Sequence, residues 1–258
     1  MTKFNQKISE YVGKGHPDRV ADLIAKITND YAMFSATEVI INEKGCYISG
    51  ETKISNKKEH KKAILKVLKE IQVDYKKNKK IPLKINFCKQ DKMLSKRRIK
   101  NMAGDQEIVY YTKLTKKDIH FHLKEWDNFI NENFSHTMDY KILVNLENKT
   151  ANISYSTLHW ASETITLYLT DQIKKLDKDI KIHYCPFSGG SVFSDTGVTG
   201  RKLIVESEGC GNPHGGGAIY GKCNTKTAPA GKNLLIKKNK KIVVYFPGDD
   251  LNKPNYIK

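Results

Sequence analysis

Long apolar runs are absent from this sequence. No stretch approaches the roughly 18 apolar residues of a membrane span, and the opening "MTKFNQKISEYVGKGHPDR" lacks the apolar core of a secretory leader. A soluble, unexported, cytoplasmic protein without a membrane partner is the expectation. Cysteine pairing is missing too. Cys46, Cys88, Cys185, Cys210 and Cys223 are odd in number, scattered and without a CxxC, which excludes a disulfide framework and a zinc site and points to reduced thiols.

Acidic residues are scarce: 28 Asp and Glu face 45 Lys and Arg, a formal charge of +17. Such a balance suits nucleic acid, an acidic membrane surface or a polyphosphate. The lysines are spread along the chain, however, and "KKNKKI", at 76–81 and 237–242, reads as solvated turns. There is neither an RNP-type aromatic motif nor a finger spacing, so nucleic acid is not an expected partner. What the chain does contain is a core's worth of apolar residues, 39% of 258, enough for one large domain or two ordinary ones.

Periodicity organises those residues into two similar units. "PDRVADLIAKITNDYAMF" predicts a helix that opens on Pro17, "TEVIIN" and "CYISGE" a hairpin around "EKG", "EHKKAILKVLKEIQVDY" a helix and "IPLKINFC" a strand. About a hundred residues later the order returns: "KDIHFHLKEWDNFINENF", the hairpin of "YKILVNLE" and "ANISYST", then "SETITLYLTDQIKKL" and "DIKIHYC". Two αββαβ units imply an α+β fold, each unit a sheet backed by helices on one face and needing cover on the other. Between the units "KQDKMLSKRRIKNMAGDQEIVYYT" reads as a polar loop and a short strand, and "NLLIKKNKKIVVYF" as a further hairpin.

Several residues carry possible chemistry. His16 and Asp18 sit where a helix begins, a place that favours anions, although Asp18 alone could merely offset the helix dipole. "FSGGSVFSDTGVTGRK" offers Phe187 as a stacking face, Asp195 as a ribose acceptor, and Arg201 with Lys202 as cations; in isolation it could be a surface turn. In "HGGGAIYGKCNTKTAPAG" three glycines allow close approach of a ligand, and Lys222 and Lys226 suit a phosphate. No G-x-S-x-G elbow accompanies that HGGG, which excludes a lipase-type oxyanion loop. His120 and His122 would face different sides of a helix, which argues against a metal pair. Asp249 and Asp250 in "PGDD" read as a polar turn.

Taken in order, "GHPDRVAD", "AGDQ", "FSGG" with "DTGVTGRK", and "HGGGAIYGK" followed by "TK" resemble the S-adenosylmethionine synthetases, or methionine adenosyltransferases. The resemblance runs from Glu10 to about Ala230. It implies transfer of the adenosyl group of ATP to L-methionine, then hydrolysis of the tripolyphosphate to pyrophosphate and phosphate. It also implies Mg²⁺ and K⁺ as cofactors, and a homodimer whose active sites lie between subunits. By motif match His16, Lys149, Arg201, Lys202, Lys222 and Lys226 would bind the triphosphate, the first four being catalytic, while Phe187 would stack on adenine and Asp195 lie near the ribose. Glu51, Gln90, Asp105 and Lys226 would take methionine, Asp18 would bind Mg²⁺ and Glu38 K⁺.

Departures from the pattern are equally specific. Ala228 stands where the family has a magnesium-binding aspartate, Cys223 replaces a second acid of that loop, and Lys14 an acid before the Gly-His. Family members also continue for about another domain. A shortened form is therefore expected, with the third family domain missing. A central-type unit would comprise 15–94 plus 189–231, an N-terminal-type unit 1–14 plus 115–188, a connector 95–114 and a basic tail 232–258. Two other readings stay open at this point: a silent paralogue that binds nucleotide or a synthetase partner as a regulatory subunit, and a tripolyphosphate hydrolase.

Overall fold

The structure, a computed structural model, describes residues 4–258; the first three positions of the expected N-terminal-type unit lie outside them. The elements in chain order are β1 (Ile8–Val12), α1 (Pro17–Asp30), β2 (Ala32–Asn42), β3 (Gly45–Ile54), α2 (Lys57–Asp74), β4 (Leu83–Cys88), α3 (Lys92–Ile99), β5 (Glu107–Tyr110) and α4 (Ile119–Asn133). They continue with β6 (Tyr140–Asn145), β7 (Thr150–Ser156), α5 (Ser162–Leu176), β8 (Lys181–Phe187), β9 (Gly197–Val198), α6 (Leu203–Glu206), α7 (Thr227–Lys238), β10 (Ile242–Tyr245) and β11 (Tyr256–Ile257).

Helix α1 begins where His16 caps it with Nδ1 and Pro17 pre-sets φ, and it buries Val20, Ala21, Ile24, Ala25 and Thr28. Along β2 and β3 the alternation is strict: Val39, Ile41, Cys46 and Ile48 go into the core, Ile40 and Tyr47 to the outside. Strand β4 runs parallel to β3, as the intervening α2 crossover requires, and β9 adds to the free edge of β2. The second sheet, ordered β1-β6-β7-β8, repeats this plan: an antiparallel hairpin, a helix, then β8 parallel to β7. Its core unites Ile119, Leu123, Trp126 and Ile130 of α4 with Tyr140, Ile142, Ile153, Ile165 and Leu169.

The sheets meet through the loop that joins Gly13 to Pro17. A Cβ on Gly15 would lie 1.9 Å from the Thr137 carbonyl oxygen, so only glycine lets α1 start against the second sheet. Nearby, Tyr75 Oη donates to Thr137 O at 3.1 Å and accepts from Asp139 N at 2.9 Å. Asp139 in turn accepts from Ser191 N, and its burial pushes its pKa up to about 7. The outer faces stay open: Ile40 and Tyr47 of the first sheet and Ile8 and Leu143 of the second are exposed.

Two segments differ from expectation. The connector contains α3, because Asp91 caps the N–H groups of Met93 and Leu94 and starts a helix in a charged stretch. The tail is not the hairpin "NLLIKKNKKIVVYF". Its first half is the end of α7, closed by Asn239 in the left-handed region, and only Ile242–Tyr245 is a strand. Strand β10 pairs with β5 on one side and β11 on the other. With α7 they enclose a small third core of Ala103, Val109, Leu234, Leu235, Val243, Tyr245 and Leu251. The expected basic tail, 232–258, thus supplies the end of α7 and two strands to this core.

Replacing Gly15 by Ala is expected to lower the unfolding free energy by about 2 kcal/mol or more, the range for forced overpacking. Urea denaturation of the two proteins checks this.

Candidate functional site

The site is organised around the first two turns of α1. Asp18 and Asp22, one turn apart, share a helix face and both are 2% exposed. Asp18 accepts from Val198 N at 2.9 Å and Asp22 from Gly200 N at 2.8 Å, so two carboxylates grip alternate N–H groups of the returning chain. Gly197 makes the approach possible, since a Cβ there would lie 2.0 Å from Pro17 O. The grip carries Arg201 and Lys202 to the mouth of α1. Lys202 Nζ lies 2.9 Å from Asp18, a half-buried pair, whereas the mostly exposed Arg201 lies at 3.6 Å and is more loosely held.

His16 completes this first cluster. Its Nδ1 accepts from Asp18 N at 3.2 Å, so the neutral ring carries its proton on Nε2. Burial, reinforced by the Lys202 charge, depresses its pKa to about 4. At neutral pH the ring is therefore an uncharged donor. Asp195 is exposed and close enough to act on His16, and Phe187 is half-buried at the end of β8. This cluster can offer cations and N–H donors to a polyanion.

A second cluster lies beside the middle of β2. Gly197 is opposite Ile41 and Lys222 opposite Ala36, five residues along the strand, or about 17 Å at roughly 3.3 Å per residue. Gln90 Nε2 donates to Glu51 Oε2 at 3.3 Å, and Lys226 Nζ lies 3.8 Å from the same oxygen. Thr227 Oγ1 donates to Asp105 at 3.3 Å, and Lys222 Nζ is 3.5 Å from Glu107 Oε1. Glu51, Gln90, Asp105, Lys222 and Lys226 thus gather where carboxylates and an amide could take an ammonium group and lysines an anion.

The glycine loop is set by a residue that the motifs do not reveal. Glu206, 5% exposed, accepts from Ile219 N at 3.1 Å, from Tyr220 N at 3.2 Å and from His214 Nε2 at 3.3 Å. His214 Nδ1 accepts from Gly216 N, which leaves Nε2 as the donor. Asp22 and Glu107 were also missed. The i,i+4 spacing of Asp18 and Asp22 was a usable signal for the former; nothing local marks Glu206 or Glu107. Cys223 is built into the fold: it is buried, its Sγ accepts from Ser35 N at 3.2 Å, and its N–H donates to Ser35 O. Ala228 is buried in the first turn of α7.

Two expected site residues stand apart. Lys149 lies in the β6–β7 turn, paired with Asp177 and Asp179 at 3.3 and 3.1 Å. That turn is at the opposite end of the second sheet from Phe187, about 20 Å by strand length, and neither cluster includes it. Its assignment to the triphosphate is not supported by contacts within one chain. Glu38 is exposed on β2. Among the described residues no group of three or more His, Cys, Asp or Glu side chains could hold a metal. A lone exposed carboxylate gives K⁺ no cage, so Glu38 does not fit that ion. Mg²⁺ differs, since one carboxylate plus ligand oxygens and water suffices, and Asp18, flanked by Lys202 and Arg201, could be that carboxylate. No helix among the described residues is long and apolar enough to cross a membrane.

Residues 189–244 match the family model for the S-adenosylmethionine synthetase C-terminal domain. An S-adenosylmethionine synthase from Mycoplasmopsis synoviae is 28% identical over 90% of this chain and 71% of its own length, and one from Acholeplasma laidlawii is 29% identical over 84% and 69%. The chain thus spans about seven tenths of these relatives. The fold is similar to that of an unusual S-adenosylmethionine synthetase from Campylobacter jejuni, with a TM-score of 0.59 at 21% identity over 97% of this chain and 82% of that one.

His16 is neutral in the fold but protonates near pH 6.5 when unfolded, so the stability it contributes is complete above that pH and is lost as pH falls toward about 4. His16→Asn keeps a capping side chain and removes the titration. Between pH 8 and pH 5 the native protein should therefore lose about 2 kcal/mol more than the variant, read from urea denaturation at both pH values.

Proposed function

We propose, from the chain's similarity to S-adenosylmethionine synthetases, that it makes S-adenosylmethionine from ATP and L-methionine, with tripolyphosphate as the intermediate cleaved to pyrophosphate and phosphate. The observation that carries this reading is the division of the motif residues into two complementary clusters. One, around His16, Asp18, Arg201 and Lys202, suits a polyphosphate joined to a base and a ribose. The other, around Glu51, Gln90, Asp105, Lys222 and Lys226, suits an amino acid next to an anion.

Gly197, beside the first cluster, and Lys222 of the second are about 17 Å apart along β2, and on this reading two copies of the chain would each supply one half of every active site. The open sheet faces bearing Ile40, Tyr47, Ile8 and Leu143 suit such a homodimer. In the reaction the methionine sulfur attacks the ribose C5′ and the tripolyphosphate departs with the bonding electrons. Charge then grows on the leaving oxygen, where His16 Nε2–H, Arg201 and Lys202 are poised as donors and cations. Phe187 would hold the base, Asp195 the ribose hydroxyls, and Glu51 with Asp105 the ammonium group of methionine. Mg²⁺, held by Asp18 and phosphate oxygens, would neutralise further charge on the leaving group.

Incubation with ATP, methionine, Mg²⁺ and K⁺ should yield S-adenosylmethionine, phosphate and pyrophosphate by mass spectrometry; no product above blank at high enzyme overturns the reading. Lys202→Ala and Lys226→Ala should each be inactive alone, by about a hundredfold or more. Unfolded, mixed and refolded together, they should recover about a quarter of native activity, because half the dimers are mixed and each holds one intact site. No recovery would mean that both clusters serve one chain.

A further inference from the structure

The Lys222 cluster contains a carboxylate in an unexpected position. Glu107 begins β5, and its side chain, 14% exposed, reaches into the loop of residues 214–222. Its Oε1 lies 3.5 Å from Lys222 Nζ and so close to Gly217 that a Cβ there would be 2.1 Å away. The same Cβ would be 3.3 Å from Lys222 Nζ, so glycine, carboxylate and ammonium form one tight cradle. The N–H of Ala228, in the first turn of α7, also favours the charged carboxylate, as a helix N-terminus does for an anion. Lysine, glycine and helix N-terminus are the groups that would receive a phosphate, and here they hold a side chain of the protein.

We propose that the Glu107 carboxylate is a tethered competitor of the polyphosphate: it occupies the cradle of Gly217, Lys222 and the α7 N-terminus, and must swing out for phosphate oxygens to enter. The inference rests on the function proposed above and extends it to a residue outside the motifs. A phosphate beside a half-buried carboxylate would meet like-charge repulsion while sharing one lysine, so the two do not fit together in the cradle. Burial raises the pKa of Glu107, and the Lys222 charge and the Ala228 N–H oppose that rise. Space for the swing exists in the adjoining cavity of about 580 Å³, lined by Asp105, Gly215, Gly217, Lys222 and Phe246. Ala228 acquires a meaning here. Where the resemblance expects an acid, β5 brings one from elsewhere in the chain, aimed at the lysine.

The test is calorimetric titration of the intact protein with inorganic tripolyphosphate, without metal and then with Mg²⁺. Glu107→Gln keeps the shape and removes the charge, and Glu107→Ala removes the side chain; near-ultraviolet circular dichroism verifies that both are folded. Both should bind about tenfold more tightly than the native protein, the effect of losing a half-buried pair. Adding Lys222→Ala to either should abolish the gain. Unchanged binding in both variants overturns the proposal, as does weaker binding confined to Mg²⁺, which would make Glu107 a metal-holding group. If Lys222→Ala weakens native binding while the Glu107 variants gain nothing, the competitor fails and the function stands. If native protein and both Glu107 variants bind no tripolyphosphate, both fail.

Discussion

The grip of Asp18 and Asp22 on residues 197–202 is the contact on which the rest of the molecule depends. Together with the pairing of β9 to β2, it fixes the segment that carries Arg201 and Lys202 across α1. Two buried carboxylates are costly to desolvate, and both are kept because they are filled by backbone N–H donors and flanked by cations. Asp22 retains part of that cost: burial lifts its pKa to about 7, with Gly200 N–H and Arg19 pulling the other way. The helix start, the edge of the first sheet and the phosphate-type cluster are three results of one local arrangement.

A recurring pattern is that each basic residue assigned to a polyanion has a carboxylate of the protein beside it. Lys202 and Arg201 share Asp18, Lys222 has Glu107, Lys226 has Glu51, and Lys149 has Asp177 and Asp179. In a chain of +17 this is not forced by any shortage of positive charge, since the surplus lies elsewhere, on exposed lysines such as those of α2. The internal partners hold these long side chains in defined places, which lowers the freedom they have left to lose.

The two repeated units were legible because their signals are local. Apolar residues three and four apart specify α1 and α2, alternation specifies the hairpins, and Pro17 marks a helix start that the structure reproduces. Helix α7 was misread because Pro229 and Gly231 look like loop residues. Proline is tolerated in a first turn, where no N–H bond is lost. Gly231 is there for close approach, as a Cβ would come within 2.9 Å of Val109 and 3.0 Å of Tyr245. Helix α3 was hidden by charge, since its lysines and arginines read as solvent-exposed loop until Asp91 is recognised as a cap. The motif residues were found in sequence, but their separation into two clusters, and the parts played by Glu206 and Glu107, depend on contacts between distant segments that no local pattern encodes.

The third core has a bearing on the order in which the molecule is made. Strand β5 leaves the ribosome before β6, β7 and β8 of the second sheet, yet its partner β10 follows all of them, and Val109 pairs with Val243. Contacts of such separation form late, because the intervening chain must be ordered before they return any free energy. The two larger units can pack during synthesis; the cluster containing Lys222 and Lys226 cannot be finished until β10 and β11 are released. The chain therefore passes through a stage at which one cluster exists and the other does not.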